Sequence, residues 1–144
     1  MSELRAATAA DLPALVALYA AFFREDAVPV PAALQANLAA MLDDQDAMIA
    51  LLGDPPHGLV SATLTRGAEF GLSAEIEDLY VVPSARGTGL ARRLMTHALD
   101  WCDRRGARAV SLVVTPEAEA EQELTAFYTR FGFIDSRRRL LIRG

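Results

Sequence analysis

The sequence predicts an α+β fold in which helices flank a mixed β-sheet. Three observations support this fold class. Short runs rich in β-branched and aromatic residues alternate with longer amphipathic segments along the chain. Three of these runs follow one another through turn-rich segments, which is typical of an antiparallel meander. The third run leads into a helix and then another strand, and that order requires a right-handed crossover between parallel strands.

Size and composition favour a globular protein. The chain has 144 residues and 52% of them are hydrophobic, so we expect a single domain over residues 1–144. No apolar run approaches the roughly 20 residues needed to span a bilayer. The N-terminal residues do not show a basic segment followed by an apolar one, as a secretion signal would. We therefore expect a cytoplasmic protein without a membrane partner.

Charge, cysteine and histidine exclude further classes. The formal net charge of −5 argues against nucleic acid as a partner, because binding to phosphates requires a basic face. Cys102 is the only cysteine, so no internal disulfide can form, and its apolar neighbours favour a small core residue over a nucleophile. His57 and His97 are far apart and no cluster has metal-ligand spacing, so we expect no metal.

The first third of the chain predicts one strand and two helices. Residues 4–7 form a plausible first strand, and a helix follows with apolar residues at helical spacing. Thr8 with Asp11 spells a capping box, whereas Pro13 fits the first turn better if Asp11 is itself the N-cap, so the start of this helix is open. The proline-containing segment 25–31 ends the helix, and a second helix is predicted to begin at Pro31.

The middle of the chain predicts the meander. Residues 47–52 and 59–65 are two strands joined by a loop rich in glycine and proline, and residues 66–73 form a second loop. The central strand covers residues 74–82 and stops at Pro83, which cannot donate a ladder hydrogen bond.

The last part of the chain predicts two helices and three strands. A helix follows the glycine turn and ends near Gly106, and residues 109–114 form a strand. The acidic run 115–123 begins a last helix, which Gly132 stops. Residues 133–135 and 138–142 are predicted to form a final hairpin.

The turn between the central strand and its helix predicts an anion site. The first backbone N–H groups of a helix lack intrahelical partners, and the helix dipole is positive at that end. Gly87 and Gly89 allow a ligand to approach the backbone closely, and Arg86 and Arg92 add positive charge. The sequence fits neither a P-loop nor a dinucleotide-binding fingerprint, because the Gly-Lys-Ser/Thr tripeptide and the third glycine are missing.

The fuller pattern around this turn is more specific. Glu-Asp-Leu-Tyr-Val-x-Pro at residues 77–83, followed by Arg-x-x-Gly-x-Ala at 86–91, resembles the acyl-CoA-binding motif of the GNAT superfamily, the Gcn5-related N-acetyltransferases. Residues 126–133 are similar to the second motif of that family, and the resemblance extends from residue 4 to residue 142. It implies the GNAT fold, with a central sheet of six to seven strands, four helices, and a fourth and fifth strand that splay apart.

The resemblance also implies an activity and a co-substrate. The protein would be an acyl-CoA-dependent N-acyltransferase that moves an acetyl group from acetyl-CoA to a primary amine of a small molecule or peptide by direct attack. The backbone of Leu79, Tyr80 and Val81 would bind the pantetheine arm, and one amide near Tyr80 or Val81 would meet the oxyanion. The pyrophosphate would rest on the turn formed by Arg86, Gly87, Thr88, Gly89, Leu90, Ala91 and Arg92. Glu121 stands where the family often has an asparagine that contacts this arm, and an ionised carboxylate cannot donate that hydrogen bond.

Two residues match catalytic positions of the family. Glu77 lies where a glutamate often acts as the base that deprotonates the amine, and Glu75 has the same side-chain parity. The alternative for Glu77 is a structural carboxylate. Tyr128 matches the tyrosine that protonates the leaving thiolate, and its alternative is an aromatic packing residue.

The acceptor site and the partners are less specific. The family places the acceptor between the first two helices, so Phe22, Phe23, Glu25 and Asp26 are candidates, together with Asp78. Alternatively, the two phenylalanines belong to the core and the carboxylates are solvated. Polyamines, aminoglycosides and lysine-like amines all fit the acidic balance. A homodimer is a further expectation, because the predicted last strand has an apolar edge at residues 140–142. The competing function is a non-catalytic acyl-CoA-binding sensor.

Overall fold

A computed structural model describes residues 3–144, except for the side chains of Glu121 and Gln122. The chain forms two compact units, one that ends at Leu112 and one that runs from Val113 to Gly144. The expectation of a single domain over residues 1–144 stays a prediction.

The first unit is built on a mixed sheet whose order follows the chain. The strands are β1 (Leu4–Ala6), β2 (Ala47–Leu52), β3 (Gly58–Gly67), β4 (Gly71–Val81) and β5 (Val110–Leu112). All neighbours pair antiparallel except β4 and β5, which are parallel. The predicted meander is confirmed, and β4 and β5 are parallel as a crossover requires, while the described residues form five strands rather than six to seven. The predicted loop 66–73 is a tight hairpin, because β3 continues to Gly67 and β4 begins at Gly71.

Three helices accompany this sheet. They are α1 (Leu12–Glu25), α2 (Leu34–Asp43) and α3 (Leu90–Arg104). A short 3-10 turn, Ala9–Asp11, precedes α1, and the Asp11 carboxylate accepts a hydrogen bond of 2.8 Å from the Thr8 N–H. Thr8 therefore caps the 3-10 turn, and Asp11 is the N-cap of α1 with Pro13 in its first turn. Helix α2 begins three residues later than predicted, after a turn in which the Leu34 N–H donates to Pro31.

The strands bury both faces of the sheet, because side chains alternate along each strand. One face packs against α1 and α2 in a cluster that includes Leu15, Leu18, Tyr19, Leu38, Ile49, Leu51, Leu59 and Tyr80. The opposite face packs against α3, whose Leu94, Met95, Ala98 and Cys102 are fully buried. Within residues 3–144, no helix has the length and apolar character needed to cross a membrane.

A β-bulge interrupts the alternation in β4. Ala62 pairs with Ile76 while the adjacent Ser61 pairs with Asp78, so Glu77 is one extra residue on the β4 side. A bulge changes which side chains share a face. Glu75, opposite Thr63, and Asp78, opposite Ser61, therefore lie on the same face, which is the face covered by α1.

The pairing between β4 and β5 is short. It covers three residue pairs and ends where Ile76 lies opposite Leu112, although β4 continues to Val81. The stretch from Glu77 to Val81 therefore pairs with β3 on one side and not with β5 on the other. This arrangement agrees with the expected divergence of the fourth and fifth strands.

The second unit contains two short helices where one was predicted. These are α4 (Pro116–Gln122) and α5 (Leu124–Thr129), so the described residues form five α-helices rather than four. Glu123 separates them because its φ of +51° is left-handed and cannot continue a helix. Residues 133–135 and 138–142 form no strand, so the predicted final hairpin is wrong. Residues 140–142 therefore do not form the apolar strand edge on which the expected homodimer was based.

Candidate functional site

The turn between β4 and α3 presents a helix N-terminus. A 3-10 turn, Pro83–Ala85, ends β4, and Gly87 and Gly89 follow with φ values of +82° and +81°. Space around both glycines is open, so the backbone conformation and not crowding favours glycine there. The hydrogen-bond ladder of α3 begins with the Arg93 N–H, which donates to the Gly89 carbonyl at 3.2 Å. The preceding amides of Leu90, Ala91 and Arg92 lie in the first turn, where an anion is favoured.

The side chains of this turn differ in their surroundings. Thr88 Oγ1 donates to the Ala85 carbonyl at 3.1 Å, which closes the turn on itself. Arg92 is exposed and Arg93 is half-buried on the first turn of α3. Arg86 instead reaches back across the end of β4. Its Nε donates to the Val81 carbonyl at 2.8 Å, and its Nη2 pairs with Glu25 Oε2 at the end of α1.

The end of β4 has one open backbone edge. The Val82 N–H donates to the His57 carbonyl at 2.9 Å, on the side of β3. Peptide groups of an antiparallel strand alternate in direction. The peptide groups of Tyr80 therefore also face β3, whereas those of Leu79 and Val81 face the edge that β5 does not pair. Arg86 occupies the Val81 carbonyl, which leaves the Leu79 groups and the Val81 N–H for a ligand.

Three carboxylates share the face of β4 that α1 covers. Glu77 is exposed and accepts a hydrogen bond of 2.7 Å from Thr63 Oγ1. Thr63 pairs with Glu75 across the ladder, so the two glutamates share a face as parity predicted. Partial burial, and then the neighbouring Glu77 carboxylate, raise the pKa of Glu75. The three carboxylates therefore make this face of β4 acidic.

Asp78 is the most enclosed of the three. Its Oδ2 accepts hydrogen bonds from the Tyr19 hydroxyl at 2.8 Å and the Ser61 hydroxyl at 2.9 Å. Burial raises the pKa of Asp78 and the two hydroxyls partly oppose that shift. Burial, and then the Asp78 charge, hold the pKa of the Tyr19 phenol well above its ordinary range. Tyr19 thus remains a hydrogen-bond donor at neutral pH.

The predicted acceptor residues of α1 meet the end of β4. The Phe22 ring stacks on the Tyr80 ring with centroids 4.8 Å apart, and Phe23 packs against Tyr19 at 5.7 Å. Both phenylalanines are half-buried, so they contribute to the core while part of each ring remains accessible. Asp26 is exposed, and its N–H donates to the Phe22 carbonyl at the C-terminus of α1.

Tyr128 lies in the second unit, on α5. Its ring contacts the ring of Phe127 edge-on at 5.2 Å and that of Phe133 at 6.0 Å. Burial raises the pKa of the Tyr128 phenol, which keeps the hydroxyl protonated at neutral pH. Glu121 is on α4, and its side chain lies outside the described part of the structure, so its predicted contact stays a prediction.

Sequence reasoning missed three side chains of this region. Ser61 and Thr63 on β3 donate hydrogen bonds to Asp78 and Glu77, and Tyr19 on α1 donates a second one to Asp78. A lone polar residue within a buried strand, such as Ser61, is the only signal that could have indicated such a contact. Cys102 is a free, buried thiol on α3, as expected for a core residue. Among the described residues, no three His, Cys, Asp or Glu side chains are arranged to hold a metal ion.

Comparison with known proteins agrees with these features. The profile of the Acetyltransferase (GNAT) family matches residues 12–133. The chain is 31% identical over 113 residues to the probable glucosamine 6-phosphate N-acetyltransferase 2 of Oryza sativa subsp. japonica. That match covers 72% of this chain and 63% of the rice protein, so the chain spans less than two thirds of that relative's length.

Solved structures share the fold over almost the whole chain. An integron cassette protein from the mobile metagenome of Cole Harbour Salt Marsh has a TM-score of 0.84 and 29% identity, covering 98% of this chain and 89% of its own. A transcriptional regulator from Bacillus halodurans C-125 has a TM-score of 0.85 and 21% identity over the full length of both chains, which shows the fold alone. Because the family profile matches most of the chain, this protein belongs to the GNAT family of acetyltransferases.

Proposed function

We propose that the protein is an N-acetyltransferase that moves the acetyl group of acetyl-CoA to a primary amine. The observation that carries this proposal is the continuity of one stretch. The open backbone edge of β4 at Leu79 and Val81 leads directly into the glycine turn and the N-terminus of α3. A thioester with a long amide-containing arm and a pyrophosphate needs these two features in this order.

Each part of that stretch has a proposed role. Leu79 and the Val81 N–H pair with the amide arm as a neighbouring strand would, and Tyr80 contributes its ring to the acceptor side. The amides from Gly87 to Arg92 bind the pyrophosphate, assisted by the exposed Arg92 side chain. Acetyl-CoA supplies an activated acetyl thioester when it is bound. The Val81 N–H points to the side where an oxyanion would develop.

The acidic face of β4 supports an amine as acceptor. A simple alkyl amine is mostly protonated at neutral pH and must lose a proton before it can attack. We assign Glu77 the role of the base that accepts this proton, because it is exposed and hydrogen-bonded to Thr63. Asp78 and Glu75 lie beside it and would attract the protonated amine. We assign Tyr128 the role of the acid that donates a proton to the leaving thiolate.

The same face bears on the identity of the acceptor. The rice relative is named for glucosamine 6-phosphate, an amino sugar that carries a phosphate. Three carboxylates on one strand would repel that phosphate if it lay close to them. We therefore propose an acceptor with further positive charge, such as a polyamine, an aminoglycoside or a lysine-like amine.

The test is release of free thiol from acetyl-CoA across a panel of these amines, peptide N-termini and glucosamine 6-phosphate. We expect turnover with one cationic class and a strong loss in Tyr128→Phe. If no amine is acetylated while calorimetry still detects acetyl-CoA binding, the protein is the non-catalytic acyl-CoA-binding sensor instead. Turnover with glucosamine 6-phosphate alone would reject the proposed charge preference.

Two further proposals concern the setting of this activity. A free buried thiol at Cys102 suits a reducing compartment, so we propose that the protein works in the cytoplasm.

Leu140, Leu141 and Ile142 are 64%, 86% and 82% exposed, and apolar residues at such exposure favour a homodimer that covers them. Analytical ultracentrifugation of the protein and of Leu141→Ser tests the second proposal, because a monomer in both samples would contradict it.

A further inference from the structure

The Arg86 side chain occupies an unexpected position for a residue beside a phosphate turn. Its Nε donates to the Val81 carbonyl at 2.8 Å, and its Nη2 pairs with the Glu25 carboxylate. Its guanidinium carbon also lies 5.7 Å from the centre of the Tyr80 ring. One side chain therefore contacts the end of α1, the last residue of β4 and the ring between them. We call this set of three contacts the Arg86 bridge.

The bridge occupies Nε and one Nη2 hydrogen of Arg86, two of the five donors of its guanidinium. A guanidinium binds an anion best through two parallel N–H groups. Here one N–H is committed to a backbone carbonyl and another to a carboxylate, in two different directions. Arg92 has the opposite setting, since its side chain is exposed on the first turn of α3 and no protein hydrogen bond or ion pair to it is found among the described residues. The two arginines of the motif therefore have different surroundings.

The Glu25 end of the bridge fixes the acceptor side. Glu25 is the last residue of α1, three residues after Phe22, whose ring stacks on Tyr80. The chain leaves the helix through backbone bonds from Asp26 to Phe22 and from Val28 to Phe23, of 3.1 and 2.8 Å. The contact at Glu25 therefore lies between the Phe22 stack and the start of segment 26–33.

The Arg86 bridge is too exposed to contribute much to the free energy of unfolding. The Arg86 and Glu25 side chains are 40% and 29% exposed, and pairs of this kind contribute little to the stability of the fold. What the bridge determines is position, because a planar guanidinium with two partners sets the separation of α1 and β4. It also pairs the Glu25 carboxylate with a cation, which reduces the negative charge at the end of α1.

We propose that Arg86 is a positioning residue for the amine acceptor and not a phosphate ligand. Through Glu25 and Val81 it holds the C-terminal turn of α1 over Tyr80, and the acceptor pocket of the proposed acetyltransferase is complete only while that contact is made. This inference rests on the proposed function for its acceptor, whereas the contact itself can be tested without turnover.

The first test measures CoA binding by calorimetry for Arg86→Ala, Arg86→Lys, Glu25→Gln and Arg92→Ala. Lysine keeps the charge but cannot make the two-directional contact. We expect Arg92→Ala to weaken CoA binding roughly tenfold, as loss of a charged phosphate contact does. Arg86→Ala, Arg86→Lys and Glu25→Gln should each change it less than twofold. If Arg86→Ala weakens CoA binding as strongly as Arg92→Ala does, Arg86 is a phosphate ligand and the proposal fails.

The second test measures amide hydrogen exchange in a peptide that covers residues 22–29. Arg86→Lys and Glu25→Gln should each accelerate exchange there, and the double variant should differ little from the single variants, because both weaken the same contact. Arg92→Ala should leave exchange in this peptide unchanged. Unchanged exchange in Arg86→Lys would overturn the proposal, and thermal unfolding of each variant identifies any that is misfolded.

The third test uses the amine that the panel identifies. Arg86→Lys should raise KM for that amine about fivefold and leave KM for acetyl-CoA unchanged, since the defect is on the acceptor side. The reverse pattern would contradict the proposal. If no amine supports turnover, the proposed function fails, while the calorimetry and exchange experiments still decide whether the bridge exists.

Discussion

The Tyr19 hydroxyl on α1 donates a hydrogen bond of 2.8 Å to the Asp78 carboxylate on β4. The Ser61 hydroxyl reaches the same oxygen at 2.9 Å and lies 3.2 Å from Tyr19 Oη. Three oxygens thus form a closed triangle in which two hydroxyls supply two protons. Burial raises the pKa of this carboxyl, and the two donated hydrogen bonds partly oppose that shift because they favour the ionised form.

This triangle predicts a pH dependence of stability. Burial raises the pKa of Asp78 above its value in the unfolded chain, so the folded state holds more protons between the two values. The contribution of Asp78 is complete below an unfolded pKa of about 3.9 and is lost as pH rises through the folded value. In urea unfolding, the free energy of unfolding of Asp78→Asn should therefore increase relative to that of the wild type as pH rises above 4. Asn37→Ala, which removes an exposed and uncharged side chain from α2, is the control and should show no such trend. A constant difference for Asp78→Asn would contradict the prediction.

Gly89 is expected to be intolerant of a side chain. Its φ is +81° and it is the residue from which α3 starts, so an alanine there must adopt a left-handed backbone. Nothing lies within 4 Å of the added Cβ, so the cost is conformational, about 1–2 kcal/mol. We expect Gly89→Ala to lose that much unfolding free energy and to bind CoA more weakly, as the amides of the first turn shift.

Gly67 supplies the matched control for this substitution. It ends β3 with equally open surroundings and without a positive φ. Gly67→Ala should be neutral or stabilise the fold by up to about 1 kcal/mol, because it restricts the unfolded chain. Equal losses in both variants would show that conformation at the turn is not the cause.

The start of α1 depends on one carboxylate. Asp11 binds the Arg5 guanidinium through two contacts of 2.7 Å and also accepts the Thr8 N–H. The Arg5 hydrogen bonds, and then that of Thr8, hold the pKa of Asp11 far below its ordinary value. Its contribution is therefore present above the unfolded pKa of about 4 and is lost as pH falls through the lowered folded value. Asp11→Ala should lose roughly 1–2 kcal/mol at pH 7 and progressively less below pH 4.

Arg5→Ala tests the same contact from the other side. It should lose stability over the same pH range, and the double variant should lose less than the sum of the two single variants. Strict additivity in urea unfolding would mean that the ion pair does not stabilise the fold.

Tyr128 is expected to control the rate and not the affinity for acetyl-CoA. Tyr128→Phe should lower kcat about 10²–10³-fold, since a positioned acid contributes in this range. Because burial raises the pKa of this phenol, it should remain protonated beyond the ordinary tyrosine range near 10. Any alkaline decline that this group causes should thus begin above that range and be absent in Tyr128→Phe.

Phe127→Leu separates packing from chemistry in this prediction. It removes the ring that meets Tyr128 edge-on at 5.2 Å but retains the phenol. If both variants lose the same activity, Tyr128 acts as a packing residue. If Phe127→Leu retains most of the rate while Tyr128→Phe does not, the hydroxyl is the functional group.

Much of the fold follows from local patterns. Strand β2 lies where the apolar run 47–52 beside a turn-rich loop predicted it, and β4 ends before Pro83 because proline cannot continue the ladder. The glycine turn precedes a helix because Gly87 and Gly89 tolerate positive φ and the apolar stripe of α3 follows. The family could also be identified from the sequence, because its motif is contiguous.

Some boundaries were decided by conformations that the pattern does not encode. Glu123 adopts a positive φ and divides the predicted last helix into α4 and α5, although the sequence around it predicts one continuous helix. Residues 133–142 resemble a hairpin in composition, but strand formation requires a partner edge, which local sequence cannot supply.

The sequence by itself determined the fold class, the family and the run of residues that forms the glycine turn before α3. Only the tertiary structure decided which side chains meet. The bulge at Glu77 brings Asp78 onto the face of Glu75, where Tyr19, 59 residues away, reaches it. Arg86 turns to Glu25, 61 residues away, although its own motif suggested a phosphate. The physical reason is that periodicity and turn chemistry act over a few residues, whereas these partners depend on strand register and helix packing.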